Sequence, residues 1–324
     1  MAGPETPSTG KRWFQFRLRT LLIVSALLSI PFAWLGARFQ QARQEREAIA
    51  WIGEVGGRVW YEGWPIETAE TVRLERLPIR DISRLADLKY LRKLVIDETQ
   101  VSDISSLKGL TQLVDLTVSH SPIDDLSPLE NLHRLEKLSL TSTGVSRLAP
   151  ISDLRNLQFL CLWHSPVADI SPLANLQELE TLWIMNTQVK DLSPIEHLAR
   201  LEDLRVDGTP TRSFSPRGTF AGLKAIGVDS SQVPDLSILQ EFKNLEYLVL
   251  HCQGPVDLAP LSALQSLRWL DIQSSQRIDV SPLAELKNLE DLDLFHASVS
   301  AEQIELLEQA LPDCQISFSR IMSR

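Results

Sequence analysis

The chain has little of what catalytic sites and disulfide-stapled domains are built on. Its 324 residues hold three cysteines, Cys161, Cys252 and Cys314. An odd number at irregular spacing gives no disulfide framework and no paired zinc-ligand motif. Glycine is sparse at 14 residues, so irregular loops able to host a catalytic site are few. No glycine-rich phosphate loop, no G-x-S-x-G elbow and no H-E-x-x-H occurs. The sequence therefore offers no catalytic residue, no metal set and no cofactor site, and an enzyme is not expected. Basic charge is scarce beyond the N-terminal stretch. Seven of the 32 Lys and Arg and two of the 42 Asp and Glu lie in residues 1–46, which leaves 25 against 40 and a net of −15 for the remainder. A body this acidic does not neutralise phosphates, so no nucleic acid is expected as a partner. What the chain has is apolar mass: 44% of it is hydrophobic, ample for a large core.

The N-terminus has its own logic. Residues 1–19 are a Pro/Ser/Thr-rich segment followed by the basic, aromatic run Lys11-Arg12-Trp13-Phe14-Gln15-Phe16-Arg17-Leu18-Arg19. Residues 20–37 carry no charge, and 18 helical residues at roughly 1.5 Å each just cross a hydrocarbon core. Trp13 and Trp34 suit the two interfaces, and Pro31 is a kink that a membrane span tolerates. A buried soluble helix is disfavoured by the flanking arginines, and Leu35 and Ala37 make a poor cleavage site for a signal peptide. An uncleaved anchor fits best. Four basic residues before the span and three after it lean towards a cytoplasmic N-terminus and an extracytoplasmic C-terminal domain in a single-pass membrane protein.

The dominant signal is a repeat. Leu91, Leu113, Leu135, Leu157, Leu179, Leu201, Leu223, Leu245, Leu267 and Leu289 stand 22 residues apart. A second apolar series runs from Leu94 to Leu292 at the same spacing, and a third from Ile96 to Leu294. A weaker first copy begins at Ala69, which makes eleven units over residues 69–311. Each reads L-x-x-L-x-L, a polar turn, then D-[IL]-S-P-L-x-x-L. The first half predicts a short strand with Leu inward, paired in parallel with the next unit. The second half predicts a short helix or 3₁₀ turn, with Ser as N-cap and Pro at the first helical position. The unit Leu201–Gly222 is degenerate at Thr211, Ser213 and Arg217, although Phe214 and Phe220 keep register. Ile278 lies one residue late. Residues 38–68 predict an N-terminal cap, a helix over Phe39–Val55 and a strand over Arg58–Tyr61. Ala301–Ala310 predicts a closing helix, and residues 312–324 a last strand and tail.

On these motifs the chain resembles the 22-residue class of leucine-rich repeats, as in bacterial internalins and a eukaryotic phosphatase regulatory subunit. The resemblance implies an α/β solenoid: a leucine-rich-repeat horseshoe with a parallel concave sheet and short helical or 3₁₀ convex segments, here with an N-terminal transmembrane helix added. It departs from that family at one position. Where the family places Asn after the last strand Leu, this chain has Thr99, Ser121, Thr143, Ser165, Thr187, Thr209, Ser231, Gln253, Ser275 and Ala297. A hydroxyl both donates and accepts, so part of that ladder is expected to survive.

Alternate strand residues point outward onto the concave face. There the sequence places Phe159, Cys161 and Trp163, then Thr181, Trp183 and Met185, and further along Tyr247, Trp269 and Phe295. The next position adds His120, His164, Asn186, His251 and His296. Phe159, Trp163, His164, Trp183, Met185, Tyr247 and Trp269 are the candidate binding residues for a protein or peptide partner, because contiguous exposed aromatics mark interaction sites. The competing reading is that they pack on one another and stiffen the sheet. His120 and His164 lie two rungs apart, too far to share an ion. The ladder Asp81, Asp103, Asp125, Asp169, Asp191, Asp235, Asp257 and Asp279 could suggest calcium, but its place beside Ser-Pro points to turn and cap hydrogen bonds. Three roles suit such a chain: an anchored recognition protein, a cytoplasm-facing scaffold docking on an enzyme, and a passive structural envelope protein.

Overall fold

The structure, a computed structural model, describes residues 18–62, 68–211, 220, 222–233, 235–294 and 296–318, without the side chains of 18–32, 35 and 62. The chain divides into two units, residues 1–47 and 48–324. Helix α1 (Leu18–Val55) begins in the first and ends in the second. Its backbone continues through Pro31, so the predicted span and the predicted cap helix are one helix rather than two. Among the described residues no helix is long and apolar enough to cross a membrane. Most side chains of the predicted span 20–37 lie outside the described set, as do Lys11–Arg17 with Trp13. Trp34 and Phe39 are described, and both are exposed, with the Arg38 guanidinium 5.0 Å from the Trp34 ring centroid.

The second unit is a solenoid around a 13-stranded sheet whose strands follow one another in chain order. Strand β1 (Arg58–Glu62) pairs antiparallel with β2 (Thr68–Glu75), with a bulge at Trp60/Tyr61. The strands that follow are β3 (Lys93–Asp97), β4 (Asp115–Ser119), β5 (Lys137–Ser139), β6 (Phe159–Cys161), β7 (Thr181–Trp183) and β8 (Asp203–Arg205). Then come β9 (Ala225–Asp229), β10 (Tyr247–Cys252), β11 (Trp269–Ser274), β12 (Asp291–Leu294) and β13 (Gln315–Phe318). From β2 to β12 successive strands pair in parallel 22 residues apart, and β12 pairs in parallel with β13 at a spacing of 24. A parallel step needs a crossover. The units supply one through a short 3₁₀ return turn, such as Ser171–Asn175; between β8 and β9 most of the return lies outside the described residues.

The apolar register explains the core. Leu94, Leu116, Leu138, Leu160 and Leu182 are fully buried one above another, as are Leu91, Leu113, Leu135, Leu157 and Leu179. No unit buries its own Leu row; its neighbours do. Ala48 and Ile52 at the end of α1 cover the first rungs, and Ile304 and Leu307 of α2 (Ala301–Ala310) cover the last. Ser300 caps α2 by accepting from Gln303 N.

The return turns are not capped as predicted. Ser is not the N-cap; no side-chain cap bond is made at Leu126, Ile170, Leu192 or Val280, the residues that hold that place. The acceptor is the Asp two residues before the Ser. Asp103, Asp125, Asp169, Asp191 and Asp279 each accept from Ser N at 2.7–3.0 Å. This is an Asx turn, in which the carboxylate stands in for a backbone acceptor. These bonds first, and the Ser hydroxyls next, hold Asp125, Asp169 and Asp191 below the ordinary carboxylate pKa; Asp279 is lowered first by the Ser281 side chain and then by its N–H.

A hydroxyl ladder replaces the expected Asn. Thr99 Oγ1 lies 2.9 Å from Ser121 Oγ, and Thr143 Oγ1 lies 3.0 Å from Ser165 Oγ. Thr187 and Thr209 donate to the carbonyls of Ile184 and Val206. In the degenerate unit Thr211 is buried, and its hydroxyl donates to the Val189 carbonyl. Phe220 is buried too, whereas Ser213, Phe214 and Arg217 lie outside the described residues. Ile278 is buried one residue late while Arg277 bridges to Ser298.

The open face of the sheet as candidate binding surface

Strand residues between the buried positions form the open face of the sheet. The backbone turn that leaves each strand decides which side chains reach it. Arg76, Glu98, His120, Ser142, His164 and Asn186 all have φ of 47–58°, and Gly208 follows at 72°. These left-handed residues stand 22 apart and end the first seven rungs. His120, His164 and Asn186 are therefore turn residues, not an extension of the strand. His120 Nδ1 faces Asp97 Oδ1 at 3.0 Å, and the His164 ring lies against Trp163 at 5.1 Å. His251 does not share their position. It is a residue of β10, one place earlier in the repeat, and pairs in register with Gln273.

The predicted aromatic residues fall into two groups. Phe159, Trp163, Trp183 and Met185 belong to the rungs of β6 and β7. Phe159 and Trp183 meet edge to face at 5.2 Å, a favoured aromatic geometry. Trp183 is held further: its Nε1 donates to Asp203 Oδ2 at 3.1 Å, and the Arg205 guanidinium lies 5.1 Å from its ring centroid. Cys161 is outward in the alternation but buried, with Thr141 Oγ1 3.4 Å away. Trp163 stays 41% exposed. Tyr247 and Trp269 form the second group on the adjacent strands β10 and β11, in register with each other. Tyr247 is 44% exposed. At about 4.8 Å per strand, three rungs or roughly 14 Å separate β7 from β10, so the seven candidates do not form one contiguous cluster. Phe295 lies outside the described residues.

Between the groups runs a charged segment that the sequence reading passed over. Ala225 and Gly227 leave β9 almost bare. A Cβ on Gly227 would sit 2.7 Å from Asp207 Oδ1 and 3.3 Å from Arg205 Cβ, so glycine there lets the neighbouring side chains lie across the strand. Asp207 and Asp229 are buried, and His251 Nδ1 reaches 3.7 Å from a carboxylate oxygen of each. Asp229 also accepts from Gly208 N at 2.7 Å. Gln232 donates to the Val206 carbonyl and accepts from Asp229 N. Burial pushes Asp203, Asp207 and Asp271 above the ordinary carboxylate pKa, against the opposing pull of Arg205 on the first two and His251 on the last two. The signal that could have found this segment was the 22-residue register itself, which aligns Asp207, Asp229 and His251.

The comparisons agree with this architecture. Residues 155–197 match the family model for leucine-rich repeats in two copies. No curated protein matches the sequence. Among solved structures, an internalin from Listeria monocytogenes is 23% identical, with 78% of this chain and 82% of that one covered and a TM-score of 0.55. Internalin C2 from the same species is 26% identical over 72% and 81%, with a TM-score of 0.42. A leucine-rich-repeat protein of Leptospira interrogans is 18% identical over 75% and 82%, also at 0.42. The likeness to the first of these is one of fold.

Proposed function

We propose that this internalin-like leucine-rich-repeat chain is a membrane-anchored recognition protein that binds a protein or peptide partner on the open face of its sheet. The observation that carries the reading is the exposure of Trp163 and Tyr247, one in each aromatic group, where the neighbouring rings of Phe159, Trp183 and Trp269 are half-buried. Large aromatics left in water on a rigid sheet supply contact area at little entropic cost, and they dominate binding hot spots. The stiffening role has one specific observation in its favour: Trp183 is engaged by Phe159, Asp203 and Arg205. Trp183 is thus best read as the fixed base of the first aromatic group and Trp163 as its exposed anchor.

The anchoring half rests on the uncharged stretch 20–37, which lies in α1, and on exposed Trp34, Arg38 and Phe39 at its end. An aromatic-basic border of this kind suits a membrane interface. The extracytoplasmic placement rests on the four basic residues before the stretch against three after it. A reporter fused after Arg324 is expected to act on the non-cytoplasmic side; activity in the cytoplasm would instead favour a scaffold that docks on an enzyme. For binding, Trp163→Ala/Tyr247→Ala is expected to keep its unfolding midpoint and lose at least about 2 kcal/mol of partner affinity, roughly thirtyfold. Unchanged affinity in that folded double variant would remove the reading.

A further inference from the structure

The two halves of the open face differ in charge. From β2 to β7 it carries Arg73, Lys93 and Lys137 against Glu75, Asp97 and Asp115, a balanced set. The balance is local, since Arg73 pairs with Glu75 and Lys93 with Asp115. From β8 to β12 the described residues carry Asp203, Asp207, Asp229, Asp271, Asp291 and Asp293, with Arg205 as the one fixed positive charge. His251 faces Asp207 and Asp229 from the neighbouring strand. The acidic excess is flanked by the exposed ring of Tyr247 and by half-buried Trp269 and Trp183.

We infer that the face from β8 to β12 takes a basic segment, an extended stretch of the partner whose arginine or lysine side chains meet Asp203, Asp271 and Asp293 beside Trp183, Tyr247 and Trp269. The inference rests on the docking reading above and adds the chemical class of the partner. Charge complementarity selects it: like charge set against these carboxylates is repelled, and a neutral segment desolvates six of them against one fixed positive charge, Arg205, whose Nε lies 3.5 Å from Asp203 Oδ1. Burial already disfavours the ionised forms of Asp203, Asp207 and Asp271, so an arriving cation gains more there than on a solvated surface. Arg205 over Trp183 displays within the chain the cation-over-ring geometry that a partner arginine would repeat on Tyr247 or Trp269.

The test uses the full chain and three nine-residue peptides, each with one tryptophan, that differ only in carrying four arginines, four glutamines or four glutamates. Binding is followed by fluorescence anisotropy at two salt concentrations. The arginine peptide is expected to bind at least about tenfold tighter than the glutamine peptide and to weaken with salt. Asp203→Asn/Asp271→Asn/Asp293→Asn is expected to abolish that advantage. An equal charge change on the return side, Glu130→Gln/Glu241→Gln/Glu285→Gln, is expected to preserve it. Asp271→Asn alone, the mildest change, should remove part of it if the triple variant unfolds. Equal binding of the arginine and glutamine peptides overturns the inference. If that equal binding is lost in Trp163→Ala, the docking reading stands and only the charge preference falls. Arginine-peptide binding that survives Trp163→Ala but not the Asp variants keeps the inference and removes the aromatic anchor. Equal losses in the two triple variants would show general attraction to an acidic chain and overturn it, as would no binding by any peptide.

Discussion

The first seven rungs and the last four share one apolar register but close their strands differently. Up to Gly208 each strand ends in a left-handed residue, and no described residue after it has a positive φ. The strands β5 to β8 are three residues long, whereas β9 to β12 run to four, five or six. The change falls after the degenerate unit, to which Gln232 of the next unit reaches back, bonding the Val206 carbonyl and the Thr209 hydroxyl in place of a further hydroxyl. The core is indifferent to the difference because inward Leu rows need only rung spacing. The open face is not. Strands β10 and β11 run on through Cys252 and Ser274, the place in the repeat where the earlier rungs turn left-handed. The same protein thus closes its first seven rungs on left-handed residues and its described later ones without them.

The largest expected effect tests whether these halves are one cooperative stack. Leu182→Ala and Leu270→Ala each empty a fully buried position and should lose about 2–5 kcal/mol. Urea unfolding should show a single transition that moves in both variants, since stability in a stack is shared through neighbour contacts. Two separate transitions would divide the molecule at β8/β9.

The turn ladder comes next. Gly208→Ala places a methyl against the Asn186 side chain at a left-handed residue and should cost about 1–3 kcal/mol. Ser142→Gly relieves a left-handed serine, so it should be near neutral. Ser230→Gly has no such relief and should lose about 0.5–1 kcal/mol. Equal effects at residues 142 and 230, read from unfolding midpoints, would erase the distinction between the two turn types.

Much of this was legible in the sequence, for a physical reason. Leu rows, Ser-Pro return turns and the hydroxyl series are set by contacts that recur every 22 residues, so each unit confirms the next. The left-handed ladder was hidden because Arg76, Glu98, His120, Ser142 and His164 carry it, and such residues do not advertise positive φ as glycine does. Position in the turn, not residue type, sets that conformation. His251 was misplaced by one residue because His120 and His164 suggested a shared series. Trp183 looked freely exposed because alternation tells which side a residue faces, not that Phe159 and Arg205 will cover it. The degenerate unit was legible only as an interruption.

Two kinds of aspartate sharpen the comparison through pH. Asp169 on its return turn has a lowered pKa, first through its bond from Ser171 N. Its stabilisation is present above the unfolded carboxylate value and is lost as pH falls through the lowered one. Asp271 on the open face is raised, first by burial. Its contribution is complete below the unfolded value and is lost as pH rises through the raised one. Asp169→Ala should therefore lower the melting temperature at pH 7, with the difference closing in strong acid. Asp271→Asn should raise it at pH 7 and have no effect at pH 3. The same sign for both would mean that the open-face carboxylate is structural. The smallest expected effect is that of calcium or a chelator, which should leave melting unchanged, because the return-turn aspartates already accept from backbone N–H groups.

The central claim is that the open face, rather than the return side, meets the partner. A photo-crosslinking residue placed at position 163, and separately at position 130 on a return turn, tests it in cells that express the full chain. The account predicts a discrete adduct from 163 and none from 130. Equal yield from both positions, or an adduct from 130 alone, would contradict it.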